Sequence, residues 1–377
     1  MTMVDIVGVG ESDQVGILPD KSTLQLMAEA ARNALLEAGL LPRDVDGIFT
    51  ADLSARDVAE YLGIRPSYMD GTSVGGSSFV MQLGHAAAAL QANLCRVALI
   101  VHGESGRSGV GLPSISTGPQ SPEAAFERSI GHFSPIGSYA MACSRHMHLY
   151  GTTRRHLAEV AVAARQWAMH NPRALKRDPL SIDEVLQAKL VAWPFGRLDC
   201  CLVTDAGGAV ILTRADMARD LRLRPIRLLG HGEATDHSII SQMPDITSGP
   251  GRHSAERAFR MAGVDRSDID VAQIYDSFTY TALVSLEDIG FCQPGEGGDF
   301  VSNGRIAPGG AFPMNTSGGG LSYTHPGMFG IFTIIEGVRQ LRADFQGPRQ
   351  VANVELALVH GTGGTMSTTG TAILART

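Results

Sequence analysis

The chain has no run of 18 apolar residues, which leaves it without a helical membrane span. Basic residues are short: 31 Lys and Arg against 38 Asp and Glu give a net charge of −7. That balance argues against a general nucleic-acid binder. Cysteines number five (95, 143, 200, 201 and 292), an odd count with no zinc-ligand spacing. The adjacent pair Cys200–Cys201 rarely bonds to itself, so reduced thiols and a cytoplasmic location are expected, with no metal site. The opening MTMVDIVGVGES reads as a strand and lacks a signal-peptide pattern.

What is present is an ordinary packed composition, 44% hydrophobic and 18% charged in 377 residues, enough for a large core. The 44 glycines cluster in GGSS, DAGG, PGG, SGGG and GTGG rather than in one low-complexity tract. Such clusters at strand–helix junctions let backbone amides approach a ligand.

The chain also repeats itself. Residues 30–52 and 254–276 align without a gap and share Ala31/Ala255, Ala34/Ala258, Ala38/Ala262, Gly39/Gly263, Asp44/Asp268, Asp46/Asp270 and Asp52/Asp276. Each copy reads as a helix, a glycine stop, an acidic turn and a strand. A second echo sets ALIVHGES (98–105) against LALVHGTG (356–363), with His102 opposite His360. Two echoes in the same order predict a duplicated α/β unit, two half-domains whose loops build one site.

Helical spacing predicts helices over 22–38, 78–92, 152–170, 252–263, 278–290 and 328–342. Apolar runs predict strands near 96–104, 225–232 and 270–276. Residues 106–150 lack this regularity and read as a long functional loop or lid. The organisation expected is a first half (1–105 plus 200–221), an inserted loop and helical region (106–199) and a second half (222–377).

Four segments carry candidate chemistry. In AFPMNTSGGGLSYTHPGMFG (311–330), His325 precedes a Pro expected at the first helical position. A His there acts as base or oxyanion donor, or is a structural residue at a helix start. YDSFTY (275–280) puts Tyr275, Asp276 and Ser277 at a strand C-terminus, where α/β folds bind ligands. Tyr275 is a candidate proton donor and Ser277 a weak donor; the alternative is a buried Tyr with Asp276 as a helix cap. HGTGG (360–364) offers His360 and amides near Gly363, and GGSS (75–78) offers Gly76, Ser77 and Ser78 at a helix start. Ser77 and Ser78 are nucleophile candidates or caps, and neither sits in a Gly-x-Ser-x-Gly elbow. Arg154, Arg155, Arg165, Arg173, Lys176 and Arg177 form a basic cluster that suits a phosphorylated ligand or is a solvated face.

NTSGGGLSYTHPG (315–327) resembles the Asn-x-x-Gly-Gly…Gly-His-Pro-x-Gly signature of thiolases. YDSF (275–278) resembles the His-Asp-Cys-Phe motif of the sterol-carrier-protein type of thiolase. RHMHLYGTTRRHLAEVAV (145–162), NPRAL (171–175) and LDCCLVTDAGGAV (198–210) also resemble that subgroup. The likeness runs along nearly the whole chain. It implies two βαβαβαββ halves in a five-layer α/β/α/β/α sandwich, normally a homodimer, acting on acyl-CoA thioesters with no bound cofactor.

Departures from the pattern define the expected chemistry. SVGGSSFVM (73–81) puts Gly76 or a neighbour where thiolases carry the nucleophilic Cys. Tyr275 stands for the subgroup's His, Ser277 for its Cys, and Thr324 for the Gly before His325. Loss of the thiolate removes the usual acyl-enzyme, because a Ser hydroxyl needs an adjacent base. What remains suits retro-aldol or aldol chemistry on a β-hydroxyacyl-CoA, with an enolate held and a proton moved by His325 and Tyr275. Thiolase-like aldolases of this pattern work with a small OB-fold, zinc-ribbon partner, so such a partner is expected. The basic residues Arg154, Arg155, Arg173 and Lys176 are candidates for the coenzyme A phosphates. Acyl transfer through Ser77 or Ser78 or directly to bound CoA, and a non-catalytic acyl-CoA or lipid binder, are the alternatives.

Overall fold

A computed structural model of the chain describes residues 3–110, 121–132, 135–218, 221 and 223–377. The first half runs β1 (Val4–Glu11), α1 (Thr23–Ala38), β2 (Gly47–Phe49), α2 (Ala55–Leu62), β3 (Tyr68–Asp70), α3 (Ser78–Gln91) and β4 (Val97–Ser105). Then come α4 (Pro122–Phe126), α5 (Pro135–Tyr150), α6 (Arg154–Met169), α7 (Ile182–Gln187) and a small hairpin, β5 (Leu190–Ala192) with β6 (Phe195–Gly196). β7 (Asp205–Arg214) returns to the main sheet. α8 (Ala215–Ala218) ends the first half, and the second half runs β8 (Ile226–Thr235), α9 (Gly251–Ala262), β9 (Val271–Ile274), α10 (Thr279–Ile289) and α11 (Gly297–Val301). It closes with α12 (Gly330–Arg342), β10 (Leu356–Gly363) and β11 (Thr368–Arg376).

The strand order β3-β2-β4-β7-β1-β8-β11-β10-β9 shows the duplication directly. β1, β7, β4 and β2 have the same pairing senses as β8, β11, β10 and β9. The halves meet where β1 pairs antiparallel with β8 at Asp5–Arg227 and Ile6–Ile226. The place of β3 is taken in the second half by a single parallel bridge, Ala272–Met314.

The first echo holds in three dimensions because the same packing requirement occurs twice. In each half a helix lies so close to the first strand that only glycine fits beneath it. A Cβ on Gly8 would sit 2.5 Å from the Ala34 carbonyl oxygen, and one on Gly230 would sit 2.2 Å from that of Ala258. Gly10 and Gly232 repeat the contact one turn back, at Ala30 and Ser254. Ser22 caps α1 in a capping box with Gln25, and Gly39 ends it in the left-handed region.

The second echo is correct for the strands and off by one for the histidines. β4 and β10 are equivalent, yet His102 faces Phe79 of α3 while His360 points the other way, towards Gly251 of α9. Successive strand residues alternate faces, so a one-residue slip reverses a side chain.

Five layers follow from what each helix covers. α1 and α2 share one core with the outer face of the first half's strands. α3 and α12 fill the centre, with Phe79, Leu83, Ile331 and Ile335 packed against strands of both halves. α9 and α10 cover the outer face of the second half, joined there by α5 and α6.

The 106–150 stretch is less irregular than its sequence suggests, since α5 is a 16-residue helix. Its buried positions include the small residues Ser138, Ala140, Ala142 and Cys143, so it lacks a large-apolar stripe. Residues 111–120 and 133–134 of the expected loop lie outside the described residues.

Candidate active site

Tyr275 follows the C-terminal end of β9, as the strand-end rule predicts. Its N–H donates to the His360 carbonyl at 3.0 Å, which carries the phenol in under the central helices. The Tyr275 hydroxyl lies 2.9 Å from Nε2 of His325, with the two rings edge to face at 86°. His325 is 8% exposed and Tyr275 5%, so both members of the pair are buried.

Burial sets the charge of both groups. It pushes the His325 imidazole down to about 4, with help from nearby His102, while its own backbone carbonyl opposes the shift. The ring is therefore neutral at pH 7. With Nδ1–H directed at that carbonyl, Nε2 is left to accept the Tyr275 hydroxyl proton; this tautomer follows from the hydrogen-bond network. Burial also raises the Tyr275 phenol well above its ordinary value, and nearby Cys201 adds to this. The Phe329 N–H, at the start of α12, works the other way by favouring negative charge on the phenol oxygen.

The loop carrying His325 is held from several sides. Asp276 is fully buried and accepts from the N–H of Gly320 at 2.6 Å and of Leu321 at 3.4 Å. Gly319 must be glycine, because a Cβ there would lie 2.0 Å from the Asp276 carboxylate, and its φ is +62°. Burial raises the Asp276 carboxyl to about 7 against these hydrogen bonds. Thr204 accepts from the His325 N–H at 2.9 Å, and Nε2–H of His102 donates to the Pro326 carbonyl at 3.0 Å. Pro326 is not the first helical residue as expected: α12 starts at Gly330, after a turn that brings the Phe329 ring parallel to His325.

Gly76 faces this pair. A Cβ on it would meet Tyr275 Cε2 at 2.2 Å and Cζ at 2.6 Å. Its N–H has no hydrogen-bond partner among the described residues. Ser77, one residue on, faces elsewhere: it is fully buried and its Oγ lies 2.7 Å from Thr368 Oγ1. Ser78 Oγ donates to the Gly75 carbonyl at 2.6 Å. Neither serine meets a histidine. Gly363 packs directly over this turn, where a Cβ would lie 2.0 Å from the Val74 carbonyl oxygen.

Other candidates are placed elsewhere. Ser277 is half-buried near the pair, its Oγ 3.0 Å from Thr281 Oγ1. His360 is buried on the outer face of its strand, hydrogen-bonded to Thr371 at 2.8 Å and pushed down to about 3 by burial. The basic cluster is no single patch, because α6, about 24 Å long at 1.5 Å per residue, separates Arg154 from Arg173. Arg154 donates to the Leu186 and Val185 carbonyls near the end of α7, and Arg173 binds the Ser12 carbonyl and Glu11. Arg165 is buried on Ser322 and the Asp178 carbonyl, while Arg155 and Lys176 are exposed.

Two neighbours escaped sequence reasoning. Tyr139 on α5 donates to the Gly364 carbonyl at 3.2 Å, and Ser277 and Thr362 also lie beside its hydroxyl. Cys201 is hydrogen-bonded through its N–H to the Ser277 carbonyl. Only the likeness of 198–210 to a family segment pointed towards Cys201, and no local pattern marked Tyr139. Gly71-Thr72-Ser73-Val74-Gly75 also fits the Gly-x-Ser-x-Gly pattern, but Ser73 is exposed and donates to Asp52 at 2.7 Å. All five cysteines are free, and burial pushes each thiol up, so none is an activated thiolate. No group of three or more His, Cys, Asp or Glu among the described residues is placed to hold a metal, and no helix among them is long and apolar enough to cross a membrane.

A duplicated five-layer α/β sandwich with a Gly-rich His-Pro-Gly loop over the central helices is a thiolase fold without its nucleophilic cysteine. The chain belongs to the thiolase superfamily, in the subgroup of thiolase-like aldolases and sterol-carrier-protein-type thiolases. Residues 232–376 match the thiolase C-terminal domain-like family. Over 377 aligned residues the chain is 36% identical to a 17-hydroxy-3-oxo-4-pregnene-20-carboxyl-CoA lyase of Mycobacterium tuberculosis, covering 95% of this chain and 96% of that one. It is 31% identical to an acetyl-CoA acetyltransferase of Methanothermobacter thermautotrophicus, covering 100% of both. Among solved structures, the Ltp2-ChsH2(DUF35) aldolase superposes with a TM-score of 0.91 at 30% identity, covering 100% of this chain and 98% of that one.

Proposed function

We propose that this protein is an acyl-CoA carbon–carbon lyase that cleaves a β-hydroxyacyl-CoA by a retro-aldol reaction. The observation that carries the reading is the buried Tyr275–His325 pair beside Gly76, a proton-moving site with no nucleophile. The lyase and aldolase relatives support it.

The Tyr275–His325 contact and the free Gly76 N–H support the following course of reaction. The Tyr275 oxygen takes the substrate's β-hydroxyl proton as its own passes to His325 Nε2. The O–H electrons form the new carbonyl, the Cα–Cβ bond breaks, and its electrons become the thioester enolate. The Gly76 N–H stabilises the enolate oxygen. Protonated His325, whose depressed pKa makes it a strong acid, returns the proton through Tyr275 to Cα. The products are a carbonyl compound and a shortened acyl-CoA, and the site ends as it began. Coenzyme A enters only as part of the substrate.

Acyl transfer is the weaker reading, because Ser77 and Ser78 have no base beside them. Two assembly partners belong to the proposal. A second copy suits the open edge at β3, where Met69 is half exposed. A small OB-fold, zinc-ribbon protein suits the relative whose name pairs Ltp2 with ChsH2(DUF35). Exchange of labelled CoA into acetyl-CoA separates the chemistries: a retro-aldol enzyme shows none, and exchange at the rate of turnover overturns the proposal.

A further inference from the structure

The turn that carries Gly76 starts at Asp70, the last residue of β3. Asp70 Oδ1 accepts from the Thr72 N–H and from the Thr72 hydroxyl, each at 2.7 Å. Gln82 of α3 donates to the Thr72 carbonyl at 3.1 Å, and the Val74 N–H donates to Ser78 Oγ at 2.9 Å. Whatever holds the Asp70 carboxylate therefore sets where this turn begins.

His85, two turns into α3, holds it. Its Nδ1 lies 2.7 Å from Asp70 Oδ2, and its Nε2 lies 2.9 Å from Glu233 Oε2 on β8. One ring thus joins the edge of the first half to the first strand of the second. Gly76 belongs to the first half and Tyr275 to the second, so a tie between the halves bears on their spacing.

The two contacts define the charge of the ring. A neutral imidazole has one N–H and one lone pair, and would set that lone pair against one of the two carboxylates. Only the imidazolium, with two N–H donors, satisfies both. The surroundings agree. Burial acts to raise the Asp70 carboxyl, but His85 and Thr72 outweigh it and bring it to about 2. The Asp70 carboxylate in turn raises His85 above its ordinary value, against burial and with help from Glu233. Burial holds His231, two residues before Glu233, below its ordinary value, so it adds no charge at pH 7. Arg257 and Arg260 of α9 line the same cavity of about 690 Å³ as His85 and Glu233, and Arg257 donates to the Glu233 carbonyl at 2.7 Å.

We propose that His85 is a positioning residue, a proton-operated clasp: as the imidazolium it ties α3 and the Gly76 turn to β8, and loss of one proton releases one of its two carboxylates. The consequence for catalysis rests on the retro-aldol reading, in which the Gly76 N–H holds the enolate oxygen. Glu233 is the carboxylate released, because its side chain is 44% exposed against 14% for Asp70. The folded pKa of His85 is raised, so the clasp is closed below pH 6.5 and opens as the pH rises through the folded value.

The test follows His85 by nitrogen-15 NMR in histidine-labelled, full-length protein from pH 5.5 to 9.5. Deuterium-exchange protection of amides 71–76 and turnover of a 3-hydroxyacyl-CoA are measured over the same range. His85 is expected to be doubly protonated at pH 6 and to titrate above 6.5. Protection of 71–76 falls about threefold across that titration, and turnover falls with it. In Glu233→Gln the titration moves down by about one unit, and the alkaline limb of turnover moves too. His85→Gln removes that limb and lowers turnover about threefold to tenfold at every pH. A His85 that titrates at or below 6.5, or protection that ignores its titration, overturns the proposal. Turnover whose alkaline limb does not move in Glu233→Gln overturns the positioning role, even if His85→Gln does not fold. If no 3-hydroxyacyl-CoA is cleaved, the retro-aldol reading fails alone, and the NMR and exchange measurements still decide the clasp.

Discussion

The phenol ring of Tyr275 occupies the space that any side chain on Gly76 would need, with Cε2 standing 2.2 Å from where its Cβ would be. A thiol-bearing side chain at position 76 and a phenol at 275 exclude each other in this backbone.

This exclusion predicts a non-additive pair. Gly76→Ala forces the ring aside and costs about 1–3 kcal/mol of stability. Tyr275→Ala costs about 3–5 kcal/mol as a cavity. The double variant costs at least about 1 kcal/mol less than the sum, because each change relieves the other. Urea unfolding of the four proteins measures this, and strict additivity would contradict the packing.

His325 is held neutral with Nε2 free to accept. Its pKa of about 4 means that nitrogen-15 NMR of histidine-labelled protein shows a neutral, Nδ1-protonated ring at pH 5.5. A titration near the ordinary value of 6.5 would rule out the burial argument.

Asp276 gives stability a pH signature. Its carboxyl is raised to about 7 in the fold, against 3.8 unfolded. Between about pH 4 and 7 the native state keeps a proton that the unfolded chain has lost. This contribution is full below pH 4 and fades as the pH rises, by about 1.4 kcal/mol per unit. Buried His325 and His360 have the opposite sign, losing stability as the pH falls below 6.5. Asp276→Asn isolates the first effect: relative to the parent, the variant gains stability as the pH rises from 4 to 7. A constant difference across that range would contradict a buried, protonated Asp276.

The fold was largely legible because its repeat is dictated by local packing. Ala34 and Ala258 must be small and Gly39 and Gly263 must end helices, so both copies kept the same letters. Tyr275 and His325 were legible as motif positions. Their contact was not, since 50 residues separate them and only the closed sandwich brings them together. The histidine echo misled because strand faces alternate at every residue, which a gapless alignment does not register. The basic cluster misled for a related reason: nearness in sequence along α6 placed its members at opposite ends of a rod, where carbonyls and Glu11 already hold two of them.

The most direct test of the account is the cleavage of a 3-hydroxyacyl-CoA by the protein purified with its native partners, compared with Tyr275→Phe. Released carbonyl compound and shortened acyl-CoA are quantified, and the intact chain is weighed during turnover. The account predicts the two products in equal amounts and no mass added to the chain. It also predicts a rate reduced about 10²–10⁴-fold in Tyr275→Phe, with unfolding little changed. An acyl adduct on the chain, or an undiminished rate in Tyr275→Phe, would contradict it.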